Sequence, residues 1–169
     1  MSSPRPIFIA ISGIKNSGKT TLIAGVLPLL SRCGLRVAVI KHDGHSFEPD
    51  VPGTDSYIAR HAGAYGTAVF SGRLFQIVKE ASTEEQSLAL AFPEADLVLL
   101  EGFKHSAYPK IELVRRGNSE KPVGLPETLL AVATDIEGFS GPPGVPIIPM
   151  DPEAAVRVII GYLKAKGRL

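Results

Sequence analysis

An α/β fold with a mostly parallel central sheet is what this 169-residue sequence predicts, and three observations carry the prediction. Apolar runs rich in β-branched residues recur along the chain, and several are too continuous for half-exposed strands, which suits a sheet covered on both faces. Helical patterns lie between them, the alternation expected of parallel strands joined by crossovers. The first run leads through a small glycine-bearing loop, "SGIKNSGKTTL", directly into a helix.

Taken in order, the strand candidates are Ile7 to Ile11, Leu35 to Ile40, Thr67 to Phe70, Leu97 to Leu100, Ile111 to Val114, Leu129 to Ala133 and Val145 to Ile148. Residues Lys19 to Cys33 set Leu22, Ile23, Val26, Leu27 and Leu30 on one helical face, with Gly34 suited to end the helix and Pro28 expected to bend it. Asp55-Ser56 reads as the cap of a short helix from Ser56 to Ala62. The stretch "SGRLFQIVKE" reads as a short hairpin or an edge excursion. Ile111 and Leu113 read as core rather than as a dimer edge. Asp151-Pro152-Glu153 has the form of an N-cap followed by proline at the first helical position, opening a last helix through about Lys166. Two long polar stretches, 42 to 56 and 115 to 127, interrupt the pattern and are weighed as functional loops.

One domain is expected at this length, and a 44% hydrophobic content is enough for a substantial core. Eighteen basic residues against 17 acidic ones leave a formal charge of +1, which argues against nucleic acid or an anionic membrane as partner. A single cysteine, Cys33, forms no internal disulfide, and no apolar run reaches the roughly 20 residues that span a bilayer. The opening "MSSPRPIFIAI" lacks the features of a signal peptide, so a cytoplasmic protein is expected.

Gly13, four residues, then Gly18-Lys19-Thr20 match G-x-x-x-x-G-K-S/T without a gap. Glycine at both ends lets the backbone approach phosphate oxygens and turn successive N–H groups inward, while the following helix adds its positive N-terminus. Lys19 is the side chain to reach the β and γ phosphates, and the Thr20 hydroxyl is a ligand for Mg²⁺. The bland reading, a glycine turn with a solvated lysine, does not account for the motif falling between a strand and a helix.

A nucleotide site of this kind needs a second magnesium-side group, usually a carboxylate at a strand end. "DLVLLEGFKH" offers Asp96 and Glu101, about 16 Å apart at roughly 3.3 Å per residue, so only one lies at the phosphate edge. Ligands bind beyond the carboxyl ends of parallel strands, which selects Glu101, with Gly102 allowing close backbone approach, and leaves Asp96 a strand-start residue. "VAVIKHDGH" ends at the same edge and brings Lys41, His42, Asp43 and His45 toward the γ phosphate, with Asp43 a candidate to hold magnesium through water. The two histidines fit phosphate or substrate contact better than a transition metal, because no cysteine is near. Asp135 follows the strand "LLAVA", where a carboxylate can accept from guanine N1–H and the 2-amino group, although the full Asn-Lys-x-Asp signature is absent. "IIPMDP" is placed as a wall of the base pocket.

Three blocks, "GIKNSGKTTL", "VAVIKHDGHSFEPDVPGTDSYIARHAGA" and "LLEGFKHSAYPKIELVR", together resemble the MobB family of molybdopterin-guanine dinucleotide biosynthesis adapter proteins. The likeness runs from about residue 7 to 116 and continues loosely beyond. It implies a P-loop NTPase-type three-layer fold and a GTP-binding, weakly GTP-hydrolysing homodimer that assists the guanylyltransferase MobA, with molybdopterin as a candidate ligand. The family's phosphate loop falls on Gly13, Ile14, Lys15, Asn16, Ser17, Gly18, Lys19, Thr20 and Thr21, and its acidic strand end on Glu101-Gly102. Some related dimeric ATPases carry a lysine directly after the first glycine that reaches across the dimer. That position is Ile14 here, so Lys15 is given no such role.

Lys19, Glu101 and Asp43 are therefore the expected catalytic side chains, with Thr20, Glu101 and Asp43 at the metal. Gln76 and Gln86 both fall in stretches whose geometry the sequence does not fix, so no water-positioning glutamine is identified and slow hydrolysis is expected, below roughly 1 per second, since a supplied arginine is worth about 10³ to 10⁵ in this chemistry. The rival readings are a small-molecule kinase or ligase resembling dethiobiotin synthetase, and a scaffold that uses nucleotide only to stabilise a dimer.

Overall fold

The computed structural model describes residues 6–44 and 47–169. The chain forms two compact units, one comprising the described residues up to His42 together with Glu85–Leu169, the other Asp43–Glu84.

The larger unit is built on a six-stranded sheet in which every pairing is parallel. Its strands are β1 (Ile7–Gly13), β2 (Val37–Lys41), then, beyond the smaller unit's hairpin strands β3 (Gly66–Phe70) and β4 (Phe75–Lys79), β5 (Leu97–Glu101), β6 (Lys110–Val114), β7 (Leu129–Thr134) and β8 (Ile147–Pro149). They lie in the order β2-β5-β1-β6-β7-β8. The central strands β1 and β5 are continuous apolar runs, as expected of strands covered on both faces, and every residue of β5 and of its neighbour-but-one β6 is buried.

Helices α1 (Lys19–Arg32) and α4 (Pro152–Ala165) cover one face. Leu22, Ile23, Val26 and Leu30 from α1 meet Ile9, Ile11, Leu97, Leu99, Ile111 and Leu113 from the sheet. The two helices meet closely at Gly25, where a Cβ would stand 2.5 Å from Pro152 Cγ. The opposite face carries a smaller cluster of Ala10, Ala38, Ile40, Val98 and Leu100 with Ala89 of the short helix α3 (Glu85–Ala89). Sheet and helices thus give the α/β architecture expected. The end of α1 explains why β2 starts later than its apolar run: Gly34 takes φ 82° and Leu35 N donates to Leu30 O at 3.2 Å, so Leu35 closes the helix. Asp151 caps α4 as expected, its carboxylate accepting from Ala154 N at 2.8 Å.

In the smaller unit, β3 and β4 form an antiparallel hairpin, and α2 (Asp55–His61) precedes them. Two expectations fail here. Thr67 to Phe70 is no part of the buried parallel sheet; an apolar run of this length reads the same in an exposed hairpin. The N-cap of α2 is Thr54, not Asp55, and it makes no side-chain cap bond. Ser56 Oγ instead donates to Asp50 Oδ1 at 3.0 Å. In the larger unit, Val145 also falls outside its expected strand. Pro146 lacks an N–H, accepts from Val132 N through its carbonyl at 2.9 Å, and β8 begins after it.

Candidate functional site

The carboxyl ends of β1 and β5 lie side by side, with Ile11 in register with Glu101 and Gly102 N donating to Ile11 O at 3.0 Å. β1 passes into the loop and α1, while β5 delivers its acid beside that helix. The two halves meet where Thr20 Oγ1 donates to Glu101 Oε1 at 2.6 Å. Glu101 is buried, 8% exposed. Asp96, at the other end of β5, accepts from Arg36 N at 2.8 Å, the structural role expected.

Within the loop, Gly13, Asn16 and Gly18 take φ 136°, 61° and 96°. These left-handed conformations turn the backbone into a cradle. Gly13 is required twice, because a Cβ would also stand 2.7 Å from Leu113 O. Lys19 Nζ donates to Gly13 O at 3.2 Å and Ile14 O at 2.6 Å, curling over the loop rather than into solvent. Burial, followed by the charges of Lys104 and Lys41, holds the Lys19 ammonium below the ordinary lysine value of 10.5, while Glu101 opposes the shift. No acid occupies the first turn of α1, so its positive end is not neutralised from within the helix.

The rest of the expected set is distributed as follows. Lys41 ends the edge strand β2 in register with Glu101. His42 stacks edge-on against Phe103, ring centroids 5.9 Å apart. Asp43 is the first residue of the smaller unit. His45 lies outside the described residues. Asp135, Gly18, Thr21, Met150 and Pro152 line one pocket of about 300 Å³, so Asp135 and the end of "IIPMDP" adjoin the Gly18–Thr21 end of the loop. Asp135 is also engaged locally, its Oδ1 accepting from Arg116 N at 2.6 Å.

Two residues of this neighbourhood escaped the sequence reading. Asn118 Nδ2 donates to Lys15 O at 3.0 Å and ties the loop after β6 to the crest of the phosphate loop. Arg115 lines the same pocket as Asp135. Nothing in "RRGNSE" marks either, since the tie joins residues 103 positions apart.

The donor set fits magnesium. Thr20 and Glu101 present adjacent hard oxygens, and among the described residues no group of three or more His, Cys, Asp or Glu side chains stands ready to hold a metal by itself. Such a pair suits Mg²⁺ carried with phosphate oxygens rather than a closed protein cage.

A model of the family described as "Molybdopterin guanine dinucleotide synthesis protein B", MobB, matches residues 8–135, spanning both the loop and the acid. The chain belongs to the MobB family. It is 38% identical over 137 residues to the molybdopterin-guanine dinucleotide biosynthesis adapter protein of Escherichia coli K12, covering 76% of this chain and 78% of that protein. The probable adapter protein of Bacillus subtilis 168 is 29% identical over 168 residues, covering 97% and 96%. Among solved structures, Bacillus subtilis MobB superposes with a TM-score of 0.74 at 30% identity, covering 92% of this chain and 96% of that one. Coverage of this extent means that this MobB-family chain shares the whole fold of its relatives. Among the described residues, no helix is long and apolar enough to cross a membrane.

Proposed function

We propose that this chain binds GTP with Mg²⁺ on Gly13–Thr21 and serves as an adapter in molybdopterin-guanine dinucleotide biosynthesis, working as a homodimer with a MobA-type guanylyltransferase. The observation that carries the nucleotide site is the 2.6 Å bond between Thr20 and Glu101, which joins the motif to an acid 81 residues away at the same sheet edge. The adapter role is supported by membership of the MobB family and by the names of the relatives.

Chemically, the loop N–H groups and the α1 N-terminus hold the phosphates, and Lys19 leaves the Gly13 and Ile14 carbonyls for the β and γ oxygens. Thr20 and Glu101 would hold the metal, which would supply charge neutralisation to those oxygens. Asp135 reads the guanine edge with the carboxylate oxygen that Arg116 N leaves free. Hydrolysis stays slow in this reading; Gln86, one of the two glutamines weighed from the sequence, is held elsewhere, its Nε2 donating to Tyr108 Oη at 2.9 Å. Support for a homodimer comes from the β3–β4 hairpin, which exposes Val69, Phe70, Phe75 and Ile77 on two short strands. Apolar surface of that density is rarely left bare.

The test is calorimetric titration of GTP, GDP and ATP with Mg²⁺ into wild type, Lys19→Ala and Asp135→Asn. Wild type selects guanine nucleotides, Lys19→Ala weakens GTP by roughly 100-fold, the order of a lost charge-assisted contact or two, and Asp135→Asn erodes the preference for guanine. ATP bound as well as GTP would refute the assignment of Asp135, and an unaltered affinity in Lys19→Ala would refute the site.

A further inference from the structure

Strand β6 carries two charges in the middle of the sheet: Lys110 is 0% exposed and Glu112 is 1% exposed. Two residues apart on a strand, they share one face, while Ile111 and Leu113 pack into the α1–α4 core on the other. Buried charges at such positions are costly unless every polar atom is used. Here they are used on backbone. Lys110 Nζ donates to the carbonyls of Phe103 (3.3 Å), Lys104 (3.1 Å) and Ser106 (2.7 Å). Glu112 accepts from Val123 N at 2.6 Å and from Gly124 N at 2.8 Å. Gly124 joins the two fastenings: a Cβ there would stand 2.5 Å from Glu112 Oε2 and 3.3 Å from both Lys104 O and Lys110 Cδ.

The turn so held is the continuation of β5 directly after Glu101. It begins with two successive left-handed residues, Gly102 at φ 102° and Phe103 at φ 51°. A non-glycine residue in that region is strained and persists only where its surroundings over-determine it. The pairing of β6 with β7 also slips between Lys110 and Ile111, an irregularity of the kind that re-aims a side chain near a site. The consequence of this fastening is the placement of half-buried Lys104, three residues past Glu101, at the carboxyl edge of the sheet.

We propose that Lys110, braced by Glu112, is a positioning residue that holds the Gly102–Ser106 turn so that Lys104 supplies a further cation to the terminal phosphate bound on the loop. Nothing in the motif gives Lys104 or Lys110 such a role. The influence of Lys104 on the Lys19 ammonium agrees with this placement, since two like charges near one another are relieved by an anion. This inference rests on the nucleotide reading above and deepens it.

The experiment measures GTP and GDP affinity, each with Mg²⁺, for wild type, Lys104→Ala, Lys110→Met and the double variant, with circular dichroism as a folding check. Where Lys110→Met does not fold, Lys110→Gln, which keeps N–H donors, takes its place. Lys104→Ala is expected to lower the GTP-to-GDP affinity ratio about tenfold, the scale of one charge-assisted contact, with GDP affinity held. The Lys110 variant lowers the same ratio, and the double variant goes no further than the larger single effect. A ratio unchanged in Lys104→Ala, equal losses of GTP and GDP in the Lys110 variant, or additive losses in the double variant overturns the inference while leaving the phosphate loop intact. Failure of wild type to bind either nucleotide overturns both readings together.

Discussion

The two compact units of this chain are held together by different forces. In the larger, β5 is buried end to end and β1 from Ile9 onward, with Ile9, Leu97, Leu99 and Leu100 fully enclosed. In the smaller, no described residue is buried, and Phe70, Phe75 and Ile77 are 83%, 67% and 68% exposed. Its order comes instead from Arg60, whose guanidinium pairs with Glu80 at 2.8 Å, with Asp50 at 3.3 Å and with Glu48. Those carboxylates, Glu80 first, raise its pKa further above the arginine value against the effect of burial. A two-stranded hairpin is marginal in water by itself. The contrast teaches that the loop and its acid rest on a buried core, whereas the hairpin presents exposed apolar side chains, the surface that the proposed homodimer would cover.

Core truncation gives the sharpest separation of the two units. Leu99→Ala should destabilise the protein by about 2–5 kcal/mol in urea unfolding, while Ile77→Ala should change the stability of the larger unit by less than about 0.5 kcal/mol. Equal losses would break the comparison. Next comes association: wild type should sediment as a dimer, and Phe75→Asp with Ile77→Asp should sediment as a monomer that keeps wild-type GTP affinity. A dimer that survives both charges would place the interface elsewhere. The smallest effect concerns pH. Lys19 binds phosphate only as the ammonium, and its folded-state pKa lies below 10.5. GTP affinity should therefore fall as pH rises through the alkaline range beneath that value, and the fall should be shallower in Lys19→Ala, where the guanine N1–H still titrates. A profile that stays flat up to the ordinary lysine range would contradict the shift.

Much of the site was legible because its signals are local. Gly13, Gly18, Lys19 and Thr20 lie within one loop whose spacing is set by phosphate geometry, and Glu101 follows from the rule that ligands sit beyond the carboxyl ends of strands. The final helix cap at Asp151 was legible for the same reason. Where the reading failed, the deciding contact was distant or the signal was degenerate. Thr67 to Phe70 has the composition of a core strand and forms an exposed hairpin. "KIELV" reads as an ordinary strand, with no sign that its two charges would be enclosed.

By itself, then, the sequence determined the strand–loop–helix of the phosphate-loop motif, the acid that meets it at the sheet edge, and the parallel α/β layering, because each depends on spacing and periodicity along the chain. Only the tertiary structure decided that Asn118 ties down Lys15, that Asp135 shares a pocket with Gly18, and that Lys110 and Glu112 fasten two loops from within the sheet. The physical reason is range: a buried charge is tolerable only where distant backbone supplies its hydrogen bonds, and which backbone arrives there is fixed by strand order, not by neighbouring residues.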